Sequence, residues 1–265
     1  MNIPINPFPG LSRLLAVECL KLKRTSTLLM VFALPFLVVL FSTGLAVKSQ
    51  NLAGFDAQAW QRWWMGVMAL WSYFMLPMFI ALITGAINGN EHKNHGWRLM
   101  LALPVNLYSL YIAKLLLGVL LTASALLWLW LSGLLATLLM TALGAPGETE
   151  YGMVLLNAMP ALMLTSLPVL IIQHAVSWRF GNIIVPLSVA VMATMGIVQI
   201  GSSEYWVWYP WSYMTMSAMG GTEELRHHAV WLSLAVATGL FWLSTLLAAT
   251  TNALANRKPL PISQG

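Results

Sequence analysis

The sequence predicts an all-α integral membrane protein with six transmembrane helices. Of its 265 residues, 59% are apolar and only 8% are charged, whereas soluble domains carry about 25% charged residues. Six apolar runs each approach or exceed the ~20 residues that a helix needs to cross the hydrocarbon core. None of the six contains Asp, Glu, Lys or Arg. Because no stretch has the charge to build a soluble domain, we expect residues 1–265 to form a single transmembrane domain.

A short helix is predicted before the first span. Residues 11–24 follow Pro9-Gly10, and Ser12 is the expected N-cap. Four residues would form its apolar face: Leu11, Leu15, Cys19 and Leu22. Glu18 falls on that face, so the amphipathic pattern is imperfect. We expect this segment to lie on the inner leaflet as an interfacial elbow helix.

The apolar runs place the six spans in order along the chain. They cover residues 27–47, 63–87, 115–141, 153–176, 183–200 and 229–251. Prolines inside four of them are tolerated because neighbouring helices can satisfy the freed carbonyl groups. The third run is apolar from Leu107, so we expect its first turns to lie at the headgroups, with Lys114 extended towards water.

The distribution of lysine and arginine predicts the orientation. If the N-terminus is inside, ten of these residues lie on the inner side: Arg13, Lys21, Lys23, Arg24, Lys93, Arg98, Lys114, Arg179, Arg257 and Lys258. The outer segments hold three: Lys48, Arg62 and Arg226. Since cytoplasmic loops are rich in lysine and arginine, both termini are predicted to be cytoplasmic.

The loop between the second and third spans, residues 88–106, is the most informative segment. Its first half is too polar to enter lipid, but residues 97–103 are apolar enough to pack on another surface. Pro104 would end that short helix. Two interpretations remain open. The helix either docks a cytoplasmic partner, with Trp97 and Arg98 at one end, or rests on lipid headgroups.

Several features of this region resemble the permeases of ATP-binding-cassette (ABC) exporters. Glu91 closes the second span, a Leu103-Pro104-Val105 tripeptide follows, and Lys114 opens the third span. The elbow helix, the six spans and the inner N-terminus also resemble the small permeases of bacteriocin, lantibiotic-immunity and bacitracin-type exporters.

This resemblance implies a coupling helix in residues 88–106 that contacts an ATPase. The expected contact residues are Glu91, Lys93, Trp97, Arg98 and Pro104. The partners implied are two copies of a cytoplasmic ABC ATPase, which would hold ATP and Mg, and a second permease, identical or homologous. The resemblance also implies a multi-pass protein of the bacterial inner membrane, with short re-entrant helices before the last span.

The outer segment, residues 201–228, is rich in aromatic side chains: Tyr205, Trp206, Trp208, Tyr209, Trp211 and Tyr213. One interpretation is an aromatic belt at the membrane interface. The other is an exit for an amphipathic substrate, formed by Trp206, Trp208 and Trp211. His174, near the inner end of the fourth span, is either a residue of the substrate pathway or a hydrogen-bond partner of a neighbouring helix.

The sequence gives no sign of a catalytic, metal or cofactor site. His92 and His95, like His227 and His228, lack the Cys and carboxylate companions of a zinc site. No Gly-rich Lys-Ser/Thr loop is present, so the chain is not expected to bind ATP, and no nucleophile is paired with a base. The net charge of +5 lies in short segments beside apolar runs, which does not indicate nucleic-acid binding. The single Cys19 excludes an internal disulfide.

The sequence therefore predicts the membrane subunit of an ATP-driven exporter, not an enzyme. A secondary transporter is less consistent, because ion-coupled carriers usually keep an ionisable residue within the membrane. A membrane enzyme or assembly factor would need a polar cluster at an interface, which only residues 91–98 approach. The apolar spans and aromatic exit suit a peptide, lipid or amphipathic drug. The resemblance favours antimicrobial peptides, and with them a role in antibiotic resistance or bacteriocin immunity.

Overall fold

The computed structural model describes residues 10–23, 25–49, 52–93, 107–147, 150–201 and 203–255. Every regular element in these ranges is helical, so the predicted all-α fold is confirmed. The α-helices are α1 (Leu11–Leu22), α2 (Thr27–Ser49), α3 (Ala57–Leu70), α4 (Leu76–Lys93), α5 (Leu107–Ala142), α6 (Glu150–Arg179), α7 (Ile184–Ile200), α8 (Ser212–Met219) and α9 (Glu223–Ala255). Two short 3-10 helices cover Leu52–Gly54 and Glu204–Trp208.

Among the described residues, five helical stretches are long and apolar enough to cross a membrane. They are Thr27–Lys48, Ala57–Gly89, Leu107–Ala142, Leu156–Arg179 and Glu223–Leu247. The remaining predicted span, the fifth at residues 183–200, corresponds to α7, an apolar helix of 17 residues. At 1.5 Å per residue it is about 25 Å long, so it would match a locally thin part of the bilayer.

The second span is a continuous helical run with one π turn. Residues Trp71–Met75 form that turn, and the amide of Leu76 donates to the carbonyl of Trp71, five residues earlier. Pro77 follows directly. A proline lacks an N–H, and its ring crowds the carbonyl four residues before it. The wider turn therefore lets the helix continue past Pro77.

Helix α6 lies at the centre of the bundle and packs against α4, α5, α7, α8 and α9. Its inward side chains are fully buried: Leu162, Thr165, Ser166, Val169, Leu170 and Gln173. In the peripheral helices α2 and α9, only 22% of the residues in the most apolar stretch are buried. Their exposed residues are mostly apolar, which suits contact with lipid or with another membrane subunit.

The elbow helix α1 packs against α5, through a face that matches the predicted one only in part. Leu14, Glu18 and Leu22 are its buried residues, whereas Leu11 and Cys19 are exposed. Leu22 was predicted correctly and Leu15 packs against the core, but the prediction treated Glu18 as a disruption of the face. Spaced four residues apart, the three buried residues form one stripe with the glutamate at its centre. The predicted cap was wrong: the N-cap is Gly10, and no side chain caps the helix.

The outer segment before the last span contains two short helices, and their re-entrant placement stays a prediction. After the 3-10 helix Glu204–Trp208, helix α8 packs against α3, α6, α9 and the π turn. Tyr213 and Met214 are buried there. The segment is thus folded against the bundle.

Candidate functional site

A buried ion pair joins the elbow helix to the third span. Lys114 Nζ on α5 donates to Glu18 Oε2 on α1 at 2.6 Å and to the carbonyl oxygen of Ile87 on α4 at 2.9 Å. Glu18 also accepts from Lys21 Nζ at 2.5 Å. Lys114 is 1% exposed and Glu18 3% exposed. The expectation that Lys114 extends towards water was therefore wrong, because its charge is compensated inside the bundle.

A second group of polar side chains lies beside this ion pair. Asn88 Nδ2 donates to the carbonyl of Thr84 at 3.1 Å and to Ser177 Oγ at 2.7 Å, and it lies 3.2 Å from His174 Nδ1. Since the amide nitrogen can only donate, His174 Nδ1 is the acceptor. His174 Nε2 then carries the proton and donates to the carbonyl of Tyr111 at 3.2 Å. The imidazole is neutral in this arrangement and both of its nitrogens are engaged.

These two groups form what we call the inner junction: Glu18, Lys21, Ile87, Asn88, Tyr111, Lys114, His174 and Ser177. It joins α1, α4, α5 and α6 near the end of the bundle that is predicted to face the cytoplasm. Hydrogen bonds and the ion pair compensate most of its buried donors and charges in an apolar setting, where an uncompensated charge is costly. The junction therefore fixes the relative positions of four helices.

The predicted ATPase-contact residues begin one helical turn beyond the junction. Glu91 and Lys93 lie in the last turn of α4, which ends at Lys93. Trp97, Arg98 and Pro104 lie outside the described residues. Because Ile87 and Asn88 are part of the same helix as Glu91, the junction holds the segment from which the predicted coupling loop leaves the bundle. The contact assignments themselves stay predictions.

The outer aromatic residues occupy different environments. Trp211 is buried, Trp206 is half-buried, and Trp208 is 83% exposed. The hydroxyl of Tyr209 donates to the carbonyl of Ala193 on α7, and that of Tyr213 donates to Val207 O at 2.6 Å. The first bond connects the segment to α7, and the second lies within the segment and joins α8 to the 3-10 helix. Burial raises the pKa of Tyr209 and of Tyr213, so both hydroxyls remain donors at neutral pH.

The four residues predicted to line the substrate pathway do not lie together. His174 is part of the inner junction, whereas Trp206, Trp208 and Trp211 are at the outer end. The alternative considered for His174, hydrogen bonding to neighbouring helices, is what its contacts show. Within the described residues, no group of three or more His, Cys, Asp or Glu side chains could hold a metal ion.

Sequence patterns missed most of the inner junction. Glu18 and Lys114 are 96 residues apart, and Asn88 and His174 are 86 apart. Gln173 was also missed, although it is fully buried. In the amide orientation that satisfies both groups, its nitrogen donates to Pro186 O at 3.1 Å and its oxygen accepts from Ala190 N at 3.3 Å. One signal was present. Asn88, Gln173 and His174 are polar residues in or at the end of apolar runs, where such residues usually have partners.

Comparison with protein families adds the decisive observation. A family model described as "ABC-2 family transporter protein" matches residues 14–197. This match covers well over half of the chain and runs from α1 into α7, so it includes every helix that forms the inner junction. The chain belongs to the ABC-2 transporter family. Neither a curated protein nor a solved structure gives a significant match.

Membership of the ABC-2 family confirms the predicted ABC permease. The chain is a multi-pass membrane protein and the membrane component of a transporter, and permeases of this family associate with ABC ATPases. A bacterial inner membrane is consistent with the family and the fold. The narrower resemblance to bacteriocin or bacitracin exporters stays a prediction.

Proposed function

We propose that this ABC-2 permease is half of the membrane domain of an exporter. Two copies of a separate ATPase drive it through residues 88–106, and a second permease, identical or homologous, completes the pathway. The proposed substrates are amphipathic: an antimicrobial peptide, a lipid or a drug. The observation that carries the proposal is the inner junction, since it joins the helix that enters the coupling loop to three other helices.

The junction supports a mechanical role for α4. An ATPase that moves residues beyond Lys93 would act on a helix whose Ile87 carbonyl is held by Lys114 and whose Asn88 is bonded to Ser177. Movement of α4 would therefore carry α1, α5 and α6 with it. Stiff polar contacts suit this role better than apolar packing alone, because they fix distances and directions.

The second span extends this connection to the outer side. Helix α4 continues through the π turn into α3, which contacts α8 of the outer segment. A displacement at the inner end would thus reach the aromatic residues around α8. The π turn is the place where we expect the second span to bend, because it departs from regular α-helical hydrogen bonding.

Reconstitution tests the proposal. The chain would be placed in liposomes with its partner ABC ATPase, and uptake of a fluorescent antimicrobial peptide and a fluorescent phospholipid would be followed in inside-out vesicles. We expect ATP-dependent movement of at least one of them from the cytoplasmic side. The matched control carries an ATPase whose phosphate-loop lysine is replaced by alanine.

Two results would contradict the proposal. One is that the purified chain alone binds ATP stoichiometrically and hydrolyses it. The other is an active transporter that native mass spectrometry shows to contain one copy of this chain and no second permease.

A further inference from the structure

The outer end of the bundle contains a cavity of about 680 Å³ that is distinct from the inner junction. It lies between α3, α6, the C-terminal end of α8 and the first turns of α9. Its lining includes Gln61, Trp64, Asn157, Ser217, Arg226 and His227. We call it the outer cavity. Its volume falls in the range typical of small-molecule sites, about 300–1,000 Å³.

The lining of the outer cavity is amphipathic. Trp64, Met65, Met68, Ala158 and Ala161 provide an apolar wall on α3 and α6. The polar residues Gln61 and Asn157 precede this wall along α3 and α6, and Glu223, Arg226 and His227 lie in the first turns of α9. We call these five residues the rim of the cavity. A ligand with an apolar part and a polar head therefore matches the cavity better than a uniformly polar or uniformly apolar one.

The charged groups at the rim are of both signs. Arg226 Nη1 lies 3.2 Å from Glu223 Oε1, and Arg226 Nε donates to the carbonyl of Gly220 at 3.0 Å. His227 Nε2 is 3.9 Å from Glu223 Oε2. The Arg226–Glu223 ion pair adds no net charge to the rim. The rim therefore favours a head that is uncharged or zwitterionic over one with a net charge.

Close packing fixes the apolar wall. A Cβ atom on Gly133 of α5 would lie 2.5 Å from Trp64 Cη2, so the absence of a side chain at position 133 allows the indole to sit against α5. Ser217 Oγ and Thr165 Oγ1 are 2.9 Å apart and tie α8 to α6. The cavity is therefore formed by constrained residues of one chain.

An apolar groove of about 590 Å³ lies on the other side of α3. Its lining includes Phe41 and Leu45 of α2 and Trp63 and Gly66 of α3. Phe41 is 59% exposed and Leu45 54% exposed, so the groove opens where the chain faces lipid. Met219, at the end of α8, lines both the groove and the outer cavity.

We propose that the outer cavity binds an amphiphile with one apolar chain and an uncharged or zwitterionic head. The apolar chain lies along Trp64, Met65 and Met68, and the head lies at the rim with Gln61, Asn157 and Arg226. The flexible side chain of Met219 separates this site from the lipid-facing groove. The site's place in transport, as the last position before release outside, rests on the proposed export function; binding itself does not.

Cysteine protection tests this site without ATP or an ATPase. Ala158→Cys would be introduced in a Cys19→Ser background and the protein placed in lipid nanodiscs. The rate of modification by a water-soluble, negatively charged methanethiosulfonate reagent is then measured. Dodecylphosphocholine below its micellar concentration should slow the reaction at least fivefold. Phosphocholine alone should have no effect, and dodecyltrimethylammonium should protect less.

A matched position and an obstructed cavity provide the controls. Tyr205→Cys, at an exposed site outside the cavity, should react with the reagent at a rate that no amphiphile changes. Adding Ala161→Phe should abolish protection of Ala158→Cys, and an unchanged melting temperature would show that this variant is folded. Asn157→Leu, at an exposed rim position, should reduce the preference for the zwitterionic head.

Three results would overturn the proposal. They are a failure of Ala158→Cys to react, equal protection at positions 158 and 205, and protection that survives Ala161→Phe. If a second permease copy covered the cavity, position 158 would fail to react in the assembled pair, which is the first of these results. Normal protection combined with absent ATP-driven transport would reject the export function but leave the site intact.

Discussion

The ammonium group of Lys114 lies 2.6 Å from the carboxylate of Glu18, and both side chains are almost completely buried. The elbow helix is therefore fastened to the third span by charge as well as by packing. The same ammonium group holds the carbonyl of Ile87 on the second span. One lysine thus connects the three elements that surround the start of the predicted coupling loop.

Breaking this ion pair should destabilise the protein strongly. Lys114→Met and Glu18→Gln should each cost about 3 kcal/mol, because removing one partner of a buried pair weakens the compensation of the other. The double variant should lose less than the sum, with a coupling of about 1–3 kcal/mol. Melting temperatures in detergent measure the effect, and Glu204→Gln at an exposed position is the control. Additive losses would mean that the two residues act independently.

Replacing His174 should have a smaller effect. His174→Leu removes the acceptor for Asn88 and the donor to Tyr111 O, but Asn88 keeps its bonds to Thr84 and Ser177. We therefore expect a loss of about 1–2 kcal/mol. The exposed His228→Leu should stay within about 0.5 kcal/mol of the wild type. Equal effects of the two substitutions in thermal unfolding would show that the His174 contacts contribute nothing.

The contact between Gly133 and Trp64 predicts a specific rescue. Gly133→Ala should destabilise by about 1–3 kcal/mol, since the new methyl group would overlap the indole. Adding Trp64→Phe should recover part of this loss, because the smaller ring leaves room. Gly239→Ala, in α9, should be neutral or stabilising, because a methyl group there would meet no neighbouring side chain or helix within 4 Å. No recovery in the double variant would contradict the packing of Trp64 against Gly133.

The hydroxyl of Tyr209 should hold the outer segment against α7. Tyr209→Phe removes its bond to Ala193 O, so we expect a loss of about 1 kcal/mol and faster proteolysis within residues 203–211. Tyr205→Phe, whose side chain is largely exposed, is the matched control. Because burial raises the pKa of Tyr209, this contribution should persist below pH ~10, the unfolded pKa, and fall as the pH rises through the higher folded value. Equal rates of proteolysis for the two variants would contradict a stabilising hydrogen bond between Tyr209 and Ala193 O.

The fold could be predicted from sequence because it follows from local properties. Apolar length and the absence of charge indicate spans, and the helices found here correspond to the six predicted runs. The π turn could not be predicted, since Pro77 shows where a helix is disturbed but not how its hydrogen bonds rearrange. Helix α7 departs furthest from a full span, because its 17 residues are short for the hydrocarbon core.

The site was less accessible to sequence reasoning because it depends on contacts between distant residues. The sequence indicated that Glu18 disrupts the apolar face of α1 and that Lys114 extends towards water. Each expectation considered one helix alone. Together the two charges compensate each other, which is what allows both to be buried. Glu91 could be singled out because it stands at a recognisable boundary between an apolar run and a polar loop, and its coupling role stays a prediction.

The most direct test of the account is whether the ATPase binds at the inner end of α4. Binding of the purified ATPase to the permease in nanodiscs would be measured for Glu91→Ala and Arg98→Ala. Loss of a charge-assisted contact in a partly buried interface costs about 2 kcal/mol, so each variant should weaken binding by roughly 30-fold. Glu224→Ala, at the opposite end of the bundle, is the matched control and should bind normally. If Glu91→Ala and Arg98→Ala both expressed normally, bound the ATPase like the wild type and transported at the wild-type rate, the coupling role of residues 88–106 would be wrong.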